Sequence, residues 1–248
     1  MFKENRIPKT HSHENTSAGW GHHFRNSPPL SKVQEWKFRF SPEYRLIRKY
    51  LRSSIMDGGC GAGQWVEFLH RQGYQAHGVD YSADLIAMDK QRYPQSQWTA
   101  ADIRNVPLPD GSFGGIVSWG VIEHDPAGPE AALKEFYRLL APGACCIVTV
   151  PVDTPRQRMV GLMDNEKNEG EFFQYYFTPD ELAERLKATG FEIMHSAIVP
   201  RTAIALAAPR LYFKYIGTRL FILARLAALF APMSVCAGMT LCIGRKPA

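Results

Sequence analysis

The residues best suited to chemistry sit where short apolar segments end. Ser54–Asp57 reads as a strand that breaks into Gly58-Gly59-Cys60-Gly61-Ala62-Gly63 ahead of a helix. Glycines at 59, 61 and 63 let the backbone turn tightly and approach a ligand without side-chain clash. The helix that follows offers unpaired N–H groups to a polar or anionic group. The next apolar segment ends in Asp80, 19 residues beyond Gly61, where a carboxylate can accept from two ribose hydroxyls. Asp80 also reads, more simply, as an acidic residue at a helix start beside Ser82. A dinucleotide fingerprint is GxGxxG, whereas the spacing from Gly59 is GxGxG, followed by Gln64 and the bulky Trp65.

Two later segments end in further polar groups. Asp102 and Ile103 follow the strand Gln97–Ala100, and Gly120-Val121-Ile122-Glu123-His124 follows Phe113–Trp119. Side chains at the C-terminal ends of strands in an open α/β sheet face the ligand crevice. His124 is the residue there that can hold or release a proton near neutrality, so it reads as a general base for a hydroxyl nucleophile. The alternative is a histidine that caps the following helix or packs beside the ligand.

With these motifs in series, residues 54–199 resemble the class I S-adenosylmethionine-dependent methyltransferases, in particular the bacterial group of small-molecule enzymes with a DxGCGxG first motif. The resemblance implies an α/β, Rossmann-like three-layer sandwich. Its sheet would be seven-stranded and mostly parallel, with an antiparallel last strand. It implies S-adenosylmethionine as cofactor, with Gly59, Cys60, Gly61 and Gly63 at its methionine end and Asp57 orienting that loop. Asp80 and Tyr81 would meet the ribose, Asp102 and Ile103 the adenine, and Trp119 would complete the cofactor wall. Glu123, Tyr175 and Tyr176 are expected to line the acceptor. The Asn/Asp-Pro-Pro-aromatic run of amino-methylating relatives is absent after Trp119, which argues against adenine-N6 and glutamine-amide methylation. Gly120 stands where metal-assisted relatives carry a first carboxylate, so no metal is expected. The expected activity is methyl transfer to a small-molecule or lipid-linked acceptor, at oxygen. An NAD(P)-dependent oxidoreductase and a non-catalytic nucleotide-binding module of the same fold remain the alternatives.

The elements that must position these groups alternate regularly. Helices are expected over Pro42–Leu51, Gln64–Arg71, Ala83–Arg92 and Pro129–Leu140, and strands over Gln75–Asp80 and Ala144–Val150. Thr178-Pro179-Asp180-Glu181 is a capping signal for a helix to Ala188, before strands at Phe191–Val199 and Ser234–Ile243. Such βα alternation implies right-handed crossovers and helices on both faces of the sheet.

The remaining segments divide the chain. Residues 1–31 are rich in His, Ser, Asn and Pro and read as a flexible arm whose scattered histidines have no fixed metal geometry. Residues 32–248 form the catalytic domain, with an aromatic lid segment at 152–177 and an apolar, basic insertion at 201–233. Basic residues recur too often in that insertion for a membrane span. It reads either as an interfacial segment near lipid headgroups or as a helical subdomain over the acceptor or at a dimer interface. The 248 residues are 45% hydrophobic and 21% charged, ordinary for a globular protein, and the formal net charge is +5. No nucleic-acid-binding module is recognisable. The five cysteines include no CxxC pair, and no signal pattern opens the chain. A cytoplasmic protein is expected, peripheral at the inner face of the membrane if 201–233 touches lipid.

Overall fold

The computed structural model describes residues 3–7, 16–152, 171–200 and 238–248. Its centre is a seven-stranded sheet built from β2 (Ser54–Gly58), β3 (Gln75–Asp80), β4 (Gln97–Ala100), β5 (Phe113–Trp119), β6 (Leu140–Pro151), β8 (Glu192–Pro200) and β9 (Gly238–Arg245). The order across the sheet is β4-β3-β2-β5-β6-β9-β8. β2 pairs in parallel with both β3 and β5, whereas β9 runs antiparallel to β6 and β8. A second, two-stranded sheet pairs β1 (Lys3–Ile7) with β7 (Glu171–Tyr176) in antiparallel register.

Successive residues of a strand point to opposite faces, and both faces of the large sheet are apolar. Ile55, Val117 and Ile147 therefore join one core, and their neighbours Met56, Ile116 and Cys146 join the other. The first core is covered by α3 (Pro42–Tyr50), α4 (Gln64–Arg71) and α5 (Ala83–Arg92), through Ile47, Phe68, Leu69 and Ile86. The second is covered by α6 (Glu130–Leu139) and α7 (Pro179–Ala188), through Leu133, Phe136, Leu182 and Leu186. Each fully buried side chain of this size contributes about 1.5–3 kcal/mol. Thr178 caps α7 with the full capping box to Glu181 that its sequence signals.

The expected seven-stranded α/β sandwich and its antiparallel last strand are present. Three differences concern the ends and the lid. Residues 1–31 were expected as a flexible arm, yet they contain β1 and a helix, α1 (Ser17–Arg25). Thr16 caps α1 by accepting from the Gly19 N–H at 3.1 Å. Trp20 and Phe24, one turn apart, give the helix a buriable stripe. A second short helix, α2 (Lys32–Arg39), starts at a Ser31–Gln34 capping box. Within the lid, aromatic β-formers build β7. The insertion 201–233, the rest of the lid from 153 to 170, and the first residues of the expected strand at Ser234–Ile243 lie outside the described residues. No described helix is long and apolar enough to cross a membrane.

Gly63 shows how the packing selects a residue. It has φ 65°, and a Cβ there would drive into the Trp98 ring and stand 3.0 Å from Asp89 Cγ. Gly73 has φ 90° with nothing within 4 Å of a Cβ. Gly63→Ala is expected to cost about 1–3 kcal/mol more than Gly73→Ala, because only the first adds a clash to the backbone strain. Chemical denaturation of the two variants side by side measures the difference.

Candidate functional site

The site forms where β2 and β5 lie side by side and the chain leaves them in opposite directions. At the end of β2 the glycine turn is fastened to β3, since the N–H groups of Gly59 and Cys60 both donate to the Val79 carbonyl, at 2.8 and 3.1 Å. Asp80 holds the turn from the other side. Its Oδ2 accepts from the Gly61 N–H at 3.0 Å and its Oδ1 from the Ser82 N–H at 2.9 Å. Gly59 has φ 82°, and a Cβ there would lie 2.5 Å from Val121, so glycine is what lets the loops after β2 and β5 approach each other.

Three carboxyl groups cluster under this turn. Asp57 is buried and its Oδ1 has no hydrogen-bond partner among the described residues. Burial, with Asp80 beside it, pushes its pKa up to about 8. Burial also raises Asp80 and lifts Asp89 to about 7, although Arg92 works against the latter shift. The same burial and the same three carboxylates keep the Cys60 thiol protonated, which makes it a poor nucleophile.

The loop after β4 supplies the far wall. Asp102 takes both Arg104 Nε, at 2.9 Å, and Arg104 Nη2, at 2.6 Å, and Arg104 Nη1 reaches Asp125 at 3.0 Å. This pairing holds the Asp102 carboxyl below its usual range. The rest of the loop is pinned by α6. Glu135 accepts from the Val106 N–H at 2.7 Å, and Arg138 donates to the carbonyls of Val106 and Leu108 at 3.0 and 2.9 Å.

Between these walls lies a cavity of about 350 Å³. Of the residues expected at the site, Gly59, Asp80, Tyr81, Asp102, Ile103, Trp119 and His124 line it. Asp57 is in β2 behind it, Cys60, Gly61 and Gly63 lie in the turn, and Glu123 is buried beside His124, its Oε1 3.8 Å from His124 Nε2. Tyr175 and Tyr176 do not line it. The Tyr175 hydroxyl instead donates to the Pro126 carbonyl at 2.7 Å, and Tyr176 is buried. Phe172 of the same strand takes the wall position. Helix α1 adds two residues that the sequence did not reveal. Trp20 stands edge-on to the His124 ring at 4.8 Å, and Phe24 lies over Gly61. Their signal was the i, i+4 aromatic pair behind a threonine cap.

A doubly wound sheet with a glycine turn at its switch point and carboxylates closing the two next strands defines the Rossmann-like nucleotide-binding class. Residues 26–196 match the family model described as "Methyltransferase domain", and the chain belongs to that family, within the class I S-adenosylmethionine-dependent methyltransferases. It is 27% identical over 172 residues to a probable S-adenosylmethionine-dependent methyltransferase of Mycolicibacterium smegmatis, covering 68% of this chain and 64% of that protein. It is 25% identical over 148 residues to a demethylmenaquinone methyltransferase of Beutenbergia cavernae, covering 58% and 57%. The chain thus spans less than two thirds of the length of these relatives. The 1,6-didemethyltoxoflavin-N1-methyltransferase structure of Burkholderia thailandensis superposes with a TM-score of 0.62 at 15% identity, over 99% of this chain and 94% of that one, and so shares the fold.

The Asp57 carboxyl makes ligand-free stability depend on pH. Its folded pKa of about 8 lies above the ordinary 3.8, so the neutral form is the one that the fold prefers. That contribution is complete below the ordinary carboxylate range and is lost as pH rises towards about 8. Asp57→Asn removes this titration but leaves those of Asp80 and Asp89. Its melting temperature should fall less steeply than the parent's between about pH 4 and pH 8, read by scanning calorimetry of the ligand-free proteins.

Proposed function

We propose that this chain transfers a methyl group from S-adenosylmethionine to the oxygen of a small, apolar, ring-bearing acceptor. The observation that carries this reading is a cavity lined by two kinds of group: Gly59 of the glycine turn with Asp80, Tyr81, Asp102 and Ile103, and the rings of Trp20, His124 and Phe172 with Pro126. The first set suits a nucleoside. Asp80 presents its carboxylate to the ribose hydroxyls, while Ile103 and the Asp102 carboxylate suit the face and the exocyclic amine of adenine. The aromatic Trp119 suits a ligand that carries positive charge. When bound, S-adenosylmethionine supplies an electrophilic methyl carbon on a sulfonium.

The aromatic set suits a flat acceptor held between rings, in keeping with the quinone named for the Beutenbergia relative. Methyl transfer requires alignment above all, and the aromatic walls supply it by excluding water and restricting the acceptor's tilt. His124 takes the acceptor hydroxyl's proton. Glu123 beside it stabilises the resulting imidazolium, and Trp20 fixes the plane of the ring.

Isothermal titration calorimetry is expected to show binding of S-adenosylhomocysteine, weakened at least about tenfold in Asp80→Asn by loss of charge-assisted hydrogen bonds. Binding of NAD in its place would overturn the reading in favour of an oxidoreductase. With a phenol or quinol acceptor, His124→Asn should lower kcat by about 10²–10⁴ while S-adenosylhomocysteine affinity stays within twofold or so. An unchanged kcat would leave His124 as a wall residue only.

A further inference from the structure

Helix α2 has two faces of opposite character. Inward, Phe38 stacks on Trp65 with centroids 4.2 Å apart and meets Phe68 edge-on at 5.5 Å. Outward, Val33, Trp36 and Phe40 are 63%, 63% and 59% exposed. Their i, i+3, i+7 spacing puts them on one stripe, and the Trp36 and Phe40 rings lie 5.2 Å apart. Among the described residues the other exposed large hydrophobic side chains are Tyr81 and Met194, at 40% and 39%, so the three most exposed of the five belong to this helix and its C-cap, Phe40. Scattered exposed apolar residues are ordinary, but a contiguous stripe marks a contact surface.

The charges around the stripe indicate what it meets. Lys32, Lys37 and Arg39 are exposed on α2, and Arg45, Arg48 and Lys49 are exposed on α3 beside it. Glu35, the acidic residue of α2, is already held by Arg71 at 3.0 Å and Arg39 at 3.9 Å. A second copy of the chain would bring two such cationic sets together across the contact. An anionic surface accepts both the basic groups and the apolar stripe, and tryptophan and phenylalanine beside lysine and arginine is the composition of helices that lie in a lipid interface.

We propose that the outer face of α2 docks on an anionic lipid bilayer, with Val33, Trp36 and Phe40 entering the headgroup boundary. Lys32 and Lys37 meet the lipid phosphates. The inner face of the same helix connects this surface to the cavity through ring contacts, from Phe38 to Trp65 and from Trp65 to Trp119, at 5.5 Å, which lines it. The docking surface stands whether or not the cavity holds S-adenosylmethionine.

Co-sedimentation of the full chain with phosphatidylcholine vesicles, with and without phosphatidylglycerol, tests this. Binding is expected only with phosphatidylglycerol. Trp36→Ser/Phe40→Ser should reduce it at least about tenfold. Lys32→Gln and Lys37→Gln should each weaken it about fivefold. No binding by the parent chain, or equal binding by parent and variants, overturns the proposal. A Trp36→Ser/Phe40→Ser melting temperature well below the parent's without vesicles would show that the chain itself covers the face. Conversion of a dimer to a monomer by that variant would assign the face to a second copy. Either result also overturns the proposal.

Discussion

β2 is hydrogen-bonded to β3 on one edge and to β5 on the other, and the helices that follow these strands cover opposite faces of the sheet. That divergence leaves a crevice at the C-terminal ends of β2 and β5 which neither layer of helices fills. Every other feature of the site depends on it. The glycine turn is there because β2 ends there, and Gly59 must lack a side chain because Val121, at the end of β5, comes against it. The Ser118 hydroxyl, donating to the Gly58 carbonyl at 2.9 Å, ties the two strand ends together across the switch.

The crevice is stabilised by its neighbours rather than by its own residues. Asp57, Asp80 and Asp89 are buried close together, and each has its ionisation disfavoured by that burial. Left empty, such a cluster is a local loss of stability, kept in place by the apolar cores on either side of the sheet. The carboxyl cluster is thus a cost to folding located at the site itself, which is the usual relation between a preorganised site and the scaffold that carries it.

The N-terminal helices complete the site from outside the sheet. Phe24 lies over Gly61, and a Cβ on Gly21 would stand 2.9 Å from the Ser82 hydroxyl, so α1 rests directly on the glycine turn and the start of α5. Its Trp20 supplies the edge that His124 faces. Helix α2 is anchored differently, by Gln34 donating to Gln64 at 3.3 Å and by Phe38 on Trp65. Two short helices, each too short to persist alone, thus take their stability from the domain they cover.

Much of the domain is legible in the sequence because its signals are local. Short apolar runs, glycine stops and serine or threonine caps mark the strands and helices from Ser54 to Pro151 and the helix from Pro179 to Ala188. The glycine turn with Asp80 and Asp102 at the following strand ends marks the cofactor side of the cavity. What tertiary structure decided is which side chains meet across distant elements. Tyr175 and Tyr176 look like acceptor contacts in sequence, but a register shift in β7 sets the Phe172 and Tyr175 rings 4.7 Å apart, with Phe172 in the cavity wall and the Tyr175 hydroxyl on the Pro126 carbonyl. Asp102 stands at a strand end in sequence, but that Arg104 folds back onto it, keeps it ionised in the cavity wall and links it to Asp125 is visible only in the structure. The polar composition of the first 31 residues suggests an arm, and only the surface offered by the glycine turn gives Trp20 and Phe24 something to pack against. Periodicity and capping act within a few residues and so can be read along the chain; burial, pairing and cavity walls depend on partners tens of residues away and exist only once the sheet has formed.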